Sequence, residues 1–198
     1  GAGLVEKGNK LYRKKNYDGA LKLYEQARSS QPDSAVINFN AGTARFKTVD
    51  YPGAISSFEK ALLAQDKGLE EKANYNLGNS RYMLGLSKDD ADLESAVKLV
   101  EGALGSYERA INLDSKDGDA KFNHELAKKK LEELKEKLKN RPPQQQQNQQ
   151  DQKKKQQQGE QQQQQKQQQQ KQQDKGRQEQ QGQHDQQEQQ GQEEEERQ

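Results

Sequence analysis

Cysteine and tryptophan are absent from this chain of 198 residues, methionine occurs once and histidine twice. Without cysteine there is no disulfide, no thiolate metal site and no cysteine nucleophile. His124 and His184 are too few for a histidine-based metal cluster, so no metal or cofactor is expected. No run of eighteen apolar residues exists, which excludes a transmembrane helix. Charge of one sign is also lacking: 33 Lys and Arg face 32 Asp and Glu. The first 143 residues hold 25 basic and 22 acidic side chains, the last 55 hold 8 and 10. Neither balance is that of a nucleic-acid binder. The start Gly1-Ala2-Gly3 has no Met, so a processed or engineered beginning is expected, and any export signal would already be gone. The missing cysteine leaves the compartment open.

Apolar residues are absent from a whole segment. From Gln144 to Gln198 there is no Ala, Val, Ile, Leu, Met, Phe or Tyr, and 31 of the 55 residues are Gln. A segment with nothing apolar to bury cannot offset its conformational entropy. Asn140-Arg141-Pro142-Pro143 ends the preceding helical pattern. The expected organisation is therefore a folded domain over residues 1–139 and a disordered, Gln-rich, low-complexity tail over residues 140–198, serving as a soluble tether or as a recruiting tail.

What is present in the first part is a repeat. Gly8, Ala20, Tyr24 and Ala27 recur 34 residues later as Gly42, Ala54, Phe58 and Ala61. A third copy is split: Gly78 follows Gly42 by 36 residues, whereas Ala103, Tyr107 and Ala110 follow Ala54, Phe58 and Ala61 by 49. Two extra residues thus precede the third unit and thirteen more lie inside it. Ala20/Tyr24/Ala27 is an i, i+4, i+7 stripe on one helix face. The glycines let a second helix approach. Turn signals at Asn16-Tyr17-Asp18-Gly19 and Asp50-Tyr51-Pro52-Gly53 separate the helices of a pair. The pattern predicts helices at about 2–14, 18–30, 35–48, 52–65, 69–84, 90–113 and 119–139. Such pairs bury their faces only against neighbours, so they stack. Ala127, Leu131, Leu134 and Leu138 give the last helix one narrow apolar face, as a capping helix needs; their 4-3-4 spacing is also a coiled-coil seam, but a short one. Helix 90–113 should project beyond its neighbours, with Leu93, Val97, Val100 and Leu104 either packed on the third and last helices or open to a partner.

No catalytic constellation stands out, and a non-enzymatic role is expected. Asp89, Asp90 and Asp92 read as capping residues of the following helix. His124 is a lone surface histidine. Asparagine is the unusual feature: Phe39-Asn40, Tyr75-Asn76 and Phe122-Asn123 recur, and Asn9 and Asn79 follow Gly8 and Gly78. An amide both donates and accepts, which suits an extended peptide backbone. The same residues could instead satisfy neighbouring helices.

On Gly8, Ala20, Tyr24, Ala27 and Pro32, residues 1–139 resemble the tetratricopeptide repeat (TPR) family, with Asp66 and Ser115 standing where later units would carry proline. The resemblance implies an all-α fold, a short right-handed superhelix of three helix-turn-helix units plus a C-terminal capping helix. It also implies that the first helix of each unit lines a concave groove. Asn9, Tyr12, Arg13, Phe39, Asn40, Lys47, Lys72, Tyr75, Asn76, Asn79, Phe122 and Asn123 would then bind an extended peptide, with Thr43, Phe46 and Tyr82 beside them. A subset of the family grips the terminal carboxylate of chaperone tails with two asparagines and three cations. Asn9, Asn40 and Lys72 match that clamp, but Val5 and Asn76 replace two cations, so it is incomplete. The runs Glu6–Tyr12, Ala73–Ser80 and Asp119–Asn123, followed by the Gln-rich tail, are similar to the repeat protein of bacterial Bat (aerotolerance) operons. That resemblance implies a scaffold on the periplasmic side of the envelope, with von Willebrand factor A domain proteins as partners. The alternative it leaves is a chaperone-tail co-factor.

Because the tail has no apolar residue to bury, a chain cut after Arg141 should keep its thermal midpoint to within about 5 °C, on the order of 1 kcal/mol. A larger fall in calorimetry would show that the tail docks on the folded part.

Overall fold

The computed structural model describes residues 2–141; the expectation for the Gln-rich tail lies outside the described residues. Seven α-helices follow one another: α1 (Ala2–Arg13), α2 (Tyr17–Ser30), α3 (Ala35–Lys47), α4 (Tyr51–Leu63), α5 (Lys67–Lys88), α6 (Leu93–Leu113) and α7 (Gly118–Lys139). No strand occurs among the described residues. Six starts carry a side-chain cap of the kind that short polar residues supply. Asn16 accepts from Gly19 N–H, Ser34 from Ile37, Asp50 from Gly53, Asp66 from Gly68, Asp92 from Ser95 and Asp117 from Ala120. Asp66, which stands where proline was expected, thus opens α5.

Each helix packs on the next one in sequence. The first helices of the units also touch one another, α1 on α3, α3 on α5 and α5 on α7, whereas α2, α4 and α6 do not touch one another. First helices side by side, with second helices fanned apart, make an inner row and an outer row. The inner row is the concave face.

An aromatic ring laid on a glycine sets each pair. A Cβ built on Gly8 would lie 2.5 Å from Tyr24 Cε1, one on Gly42 2.7 Å from Phe58 Cε1, and one on Gly78 2.6 Å from Tyr107 Cε1. Tyr24, Phe58 and Tyr107 are fully buried there. Units are then tied to each other by a repeated ion pair. Arg45 in α3 donates to Glu25 in α2 at 3.0 Å and also to Asp50. Arg81 in α5 donates to Glu59 in α4 at 2.8 Å, and its other arm reaches Ser106 Oγ at 2.9 Å. Val49 holds a left-handed φ of 64° in the turn after α3, as does Lys15 at 61° in the matching turn of the first unit.

The third unit departs from the sequence-based boundaries. α5 continues to Lys88 rather than ending near residue 84, and α6 starts at Leu93 rather than 90. Gly85 lies against Val100, so the thirteen inserted residues lengthen both helices of the pair together. Only Asp92 of the acidic cluster caps α6. Asp89 instead accepts from Lys130 at 2.7 Å and Lys137 at 3.0 Å, clipping the tip of the pair to α7. The stripe of α6 is not open to a partner: Leu93, Val97 and Val100 are buried in one cluster with Ala127, Leu131 and Leu134 of α7, and Leu104 and Leu138 pack at its edge. α7 therefore caps this pair, and its apolar seam is covered within the chain.

Replacing Gly42 by Ala should gain about 1 kcal/mol of helix propensity but press a methyl group into the Phe58 ring, an overpacking cost of about 1–3 kcal/mol. A net loss of stability is expected in urea unfolding, and an increase would show that the ring does not seat on the glycine.

Burial raises the Asp89 carboxyl, but the hydrogen bonds from Lys130 and Lys137 outweigh it and hold the group below the usual carboxylate range. A depressed folded value contributes stability above the unfolded pKa, lost as pH falls through the folded one. Asp89→Ala should cost about 1–2 kcal/mol at neutral pH. The gap from the parent chain should close only in acid, below roughly pH 4. A gap that is already gone at pH 5 would contradict the clip.

Candidate functional site: the concave face

Asparagines of the inner row meet the buried rings beneath them. Tyr24 Oη donates to Asn9 Oδ1 at 2.7 Å, and Asn40 Nδ2 approaches the same oxygen at 3.4 Å. Tyr107 Oη donates to Asn79 Oδ1 at 2.8 Å, and Asn123 Nδ2 donates to that oxygen at 3.0 Å and to Tyr75 Oη at 3.1 Å. Burial pushes the Tyr107 hydroxyl well above the ordinary phenol range and raises that of Tyr24, with nearby tyrosines adding to the effect. They stay protonated at neutral pH and hold the Asn9 and Asn79 carbonyls inward. The first and third units thus share a tyrosine–asparagine–asparagine arrangement.

The middle unit breaks it. Phe58 stands where the others have tyrosine, and Thr43 where they have Asn9 and Asn79. Thr43 Oγ1 instead donates to the Asn40 carbonyl at 2.8 Å. Asn76, the counterpart of Asn40 and Asn123, is left half-buried with no side-chain hydrogen bond among the described residues.

The other expected groove residues divide by role. Phe39 packs edge-on against Phe58 with centroids 5.7 Å apart, and Tyr75 tilts onto Tyr107 at 6.2 Å; both are partly structural. Tyr12 stacks edge-on with Tyr17 at 5.1 Å, and burial raises its hydroxyl. Arg13, Lys47 and Lys72 are exposed and form no salt bridge among the described residues. Phe122 is 68% exposed. The sequence-level alternative, asparagine satisfying its neighbours, therefore describes Asn79 and Asn123 and most of Asn9. It does not describe Asn76.

Towards α7 the face opens into a cavity of about 300 Å³ in which Phe46, Tyr82, Met83 and Leu126 surround the Asn79–Asn123 pair. Leu126, 43% exposed, lies one turn beyond Phe122. Met83 and Leu126 were not singled out from the sequence; the signal was a Phe122/Leu126 spacing of four, off the buried stripe of α7. Two further asparagines were missed because they are structural. Asn38 Nδ2 donates to Pro32 O at 2.8 Å, and Asn74 Nδ2 donates to Glu70 O at 2.8 Å, both buried beneath the face. Among the described residues no group of His, Asp and Glu could hold a metal ion, and His124 sits between Glu108 and Glu125.

Known proteins place this geometry. Residues 5–70 match the tetratricopeptide repeat family model. RNA polymerase II-associated protein 3 of Xenopus tropicalis is 27% identical over 116 residues, 59% of this chain; the match spans only 15% of that relative. Among solved structures, the first TPR of Spaghetti (RPAP3) bound to the HSP90 peptide SRMEEVD has a TM-score of 0.55 at 24% identity, over 65% of this chain and 90% of that one. The first TPR domain of human RPAP3 has a TM-score of 0.56 at 23% identity, over 67% and 93%. Stacked helix pairs, rings seated on glycines, an inner row of first helices and the family match over residues 5–70 together identify the described part of the chain as a tetratricopeptide repeat fold.

Proposed function

We propose that the chain is a non-enzymatic scaffold that binds an extended peptide along its concave face. The carrying observation is the combination there of an amide, Asn76, with three exposed cations, Arg13, Lys47 and Lys72; among the described residues the amide has no side-chain hydrogen bond and the cations form no salt bridge. A peptide backbone satisfies the amide and acidic side chains satisfy the cations. That the structurally similar first TPR of Spaghetti (RPAP3) is bound to SRMEEVD, an acidic peptide, supports a peptide-binding role for this fold. The chaperone-tail reading is compatible with that likeness. The finer proposal, that the partner is a von Willebrand factor A domain protein on the periplasmic side of a bacterial envelope, rests on the sequence resemblance to Bat operon proteins alone.

Calorimetric titration of the full chain with SRMEEVD, and separately with a purified von Willebrand factor A domain, separates these readings. Reversing Arg13 and Lys47 to Glu should weaken binding of an acidic ligand about tenfold, since exposed pairs contribute about 0–1 kcal/mol each and reversal adds repulsion. Binding to the A domain that competes with SRMEEVD supports the envelope assignment. A ligand whose affinity ignores the reversal does not occupy the groove.

A further inference from the structure

We propose that the groove reads an internal segment of its partner, an extended stretch with one bulky apolar side chain flanked by acidic residues, and not a free C-terminus. The inference rests on the peptide-binding reading above and narrows it.

Three observations converge. First, the amide of Asn76 is the one member of the aromatic–asparagine series whose carbonyl and amino group are both free among the described residues. A donor beside an acceptor matches the paired C=O and N–H of a mid-chain residue. A terminal carboxylate offers acceptors only, so it would engage the amino group of Asn76 and leave its carbonyl without a partner. The exchange of tyrosine for Phe58 and of asparagine for Thr43 is what frees it.

Second, the cations do not converge on one point. Arg13 and Lys47 occupy the same repeat position, 34 residues apart, at the ends of α1 and α3. Lys72 lies near the start of α5, and its counterpart in α3 is Val36, eleven residues before Lys47. At 1.5 Å per residue that offset is about 16 Å along the helix axis. Positive charge spread over this span suits several acidic side chains along a peptide, not a single carboxylate.

Third, the cavity, at about 300 Å³, sits at the lower end of the roughly 300 to 1,000 Å³ of small-molecule pockets and takes one large side chain. Its wall is Phe46, Tyr82, Met83 and Leu126. The thioether of Met83 adapts to different apolar shapes. Phe122 stands exposed one helical turn before Leu126, apolar surface that a bound chain would cover. Anchor cavity, free amide and spread cations lie on the one inner row of helices.

The test uses random twelve-residue peptides on two arrays, probed with the fluorescently labelled full chain. In one array the peptides are tethered through the C-terminus, with no free carboxylate; in the other they are tethered through the N-terminus. The expected result is retention on the C-tethered array, with an apolar residue flanked by Asp or Glu among the selected peptides. Asn76→Ala and, separately, Leu126→Glu should each weaken the selected peptides at least threefold while circular dichroism and the thermal midpoint stay at parent values. Retention on the free-carboxylate array alone overturns the internal-segment proposal and leaves peptide binding standing. Retention on neither overturns both. Selected peptides that tolerate both substitutions place the site elsewhere and also overturn it.

Discussion

The contact between a buried aromatic ring and a glycine governs the rest of this structure. Tyr24 on Gly8, Phe58 on Gly42 and Tyr107 on Gly78 each bring a helix pair to a separation that no side chain at the glycine would permit. Fixing that separation three times brings the first helices together on one side and leaves the second helices apart on the other. Concavity is thus a packing consequence, and the proposed binding face follows from where the rings sit. The ion pairs of Arg45 with Glu25 and Arg81 with Glu59 then couple one unit to the next.

The same rings decide which polar groups the face offers. A tyrosine hydroxyl at the ring edge needs a partner once buried, and it takes the carbonyl of Asn9 or Asn79. That bond turns a two-faced amide into one that presents mainly its N–H groups. Phe58 has no hydroxyl, so the middle unit needs no inward acceptor and carries Thr43 instead. A substitution in the hydrophobic core therefore changes the chemistry of the surface above it.

Much of the fold was legible because its determinants are periodic. A 34-residue recurrence of glycine, alanine and aromatic positions is a local pattern, and each unit's helices follow from it. The helix ends at Lys88 and Leu93 were not legible, since the inserted residues have no second copy and their limits are set by Gly85 against Val100 and by Asp89 against α7. Asp89 meets Lys130 and Lys137 across 41 and 48 residues, a separation at which an acidic cluster before a helix reads simply as a cap. The aromatic–asparagine pairs of the inner row were legible as a recurrence, but their individual hydrogen-bond roles were not. Asn40, Asn76 and Asn123 share one sequence pattern, and what distinguishes them lies on another helix.

The third unit shows how an insertion can be accommodated without disturbing the face. Thirteen residues added inside one pair extend α5 and α6 together, and α7 is long enough to cover the new apolar stripe with Leu131 and Leu134. α7 meets the junction with acidic groups: burial, then the nearby Asp117 and Asp114, raises Glu71 above the usual carboxylate range. A raised folded value contributes stability only in acid, lost as pH rises through it, so this contact works against the fold at neutral pH. The Asp89 clip works the other way, retaining its stabilisation from neutral pH down into the acid range. The cap is thus held at its distal end by opposite charges and at its proximal end by packing and by the Asn123–Asn79–Tyr107 bonds. Asn123 and Leu126 of the same helix line the cavity, so the helix that closes the repeat also supplies one wall of the proposed binding face.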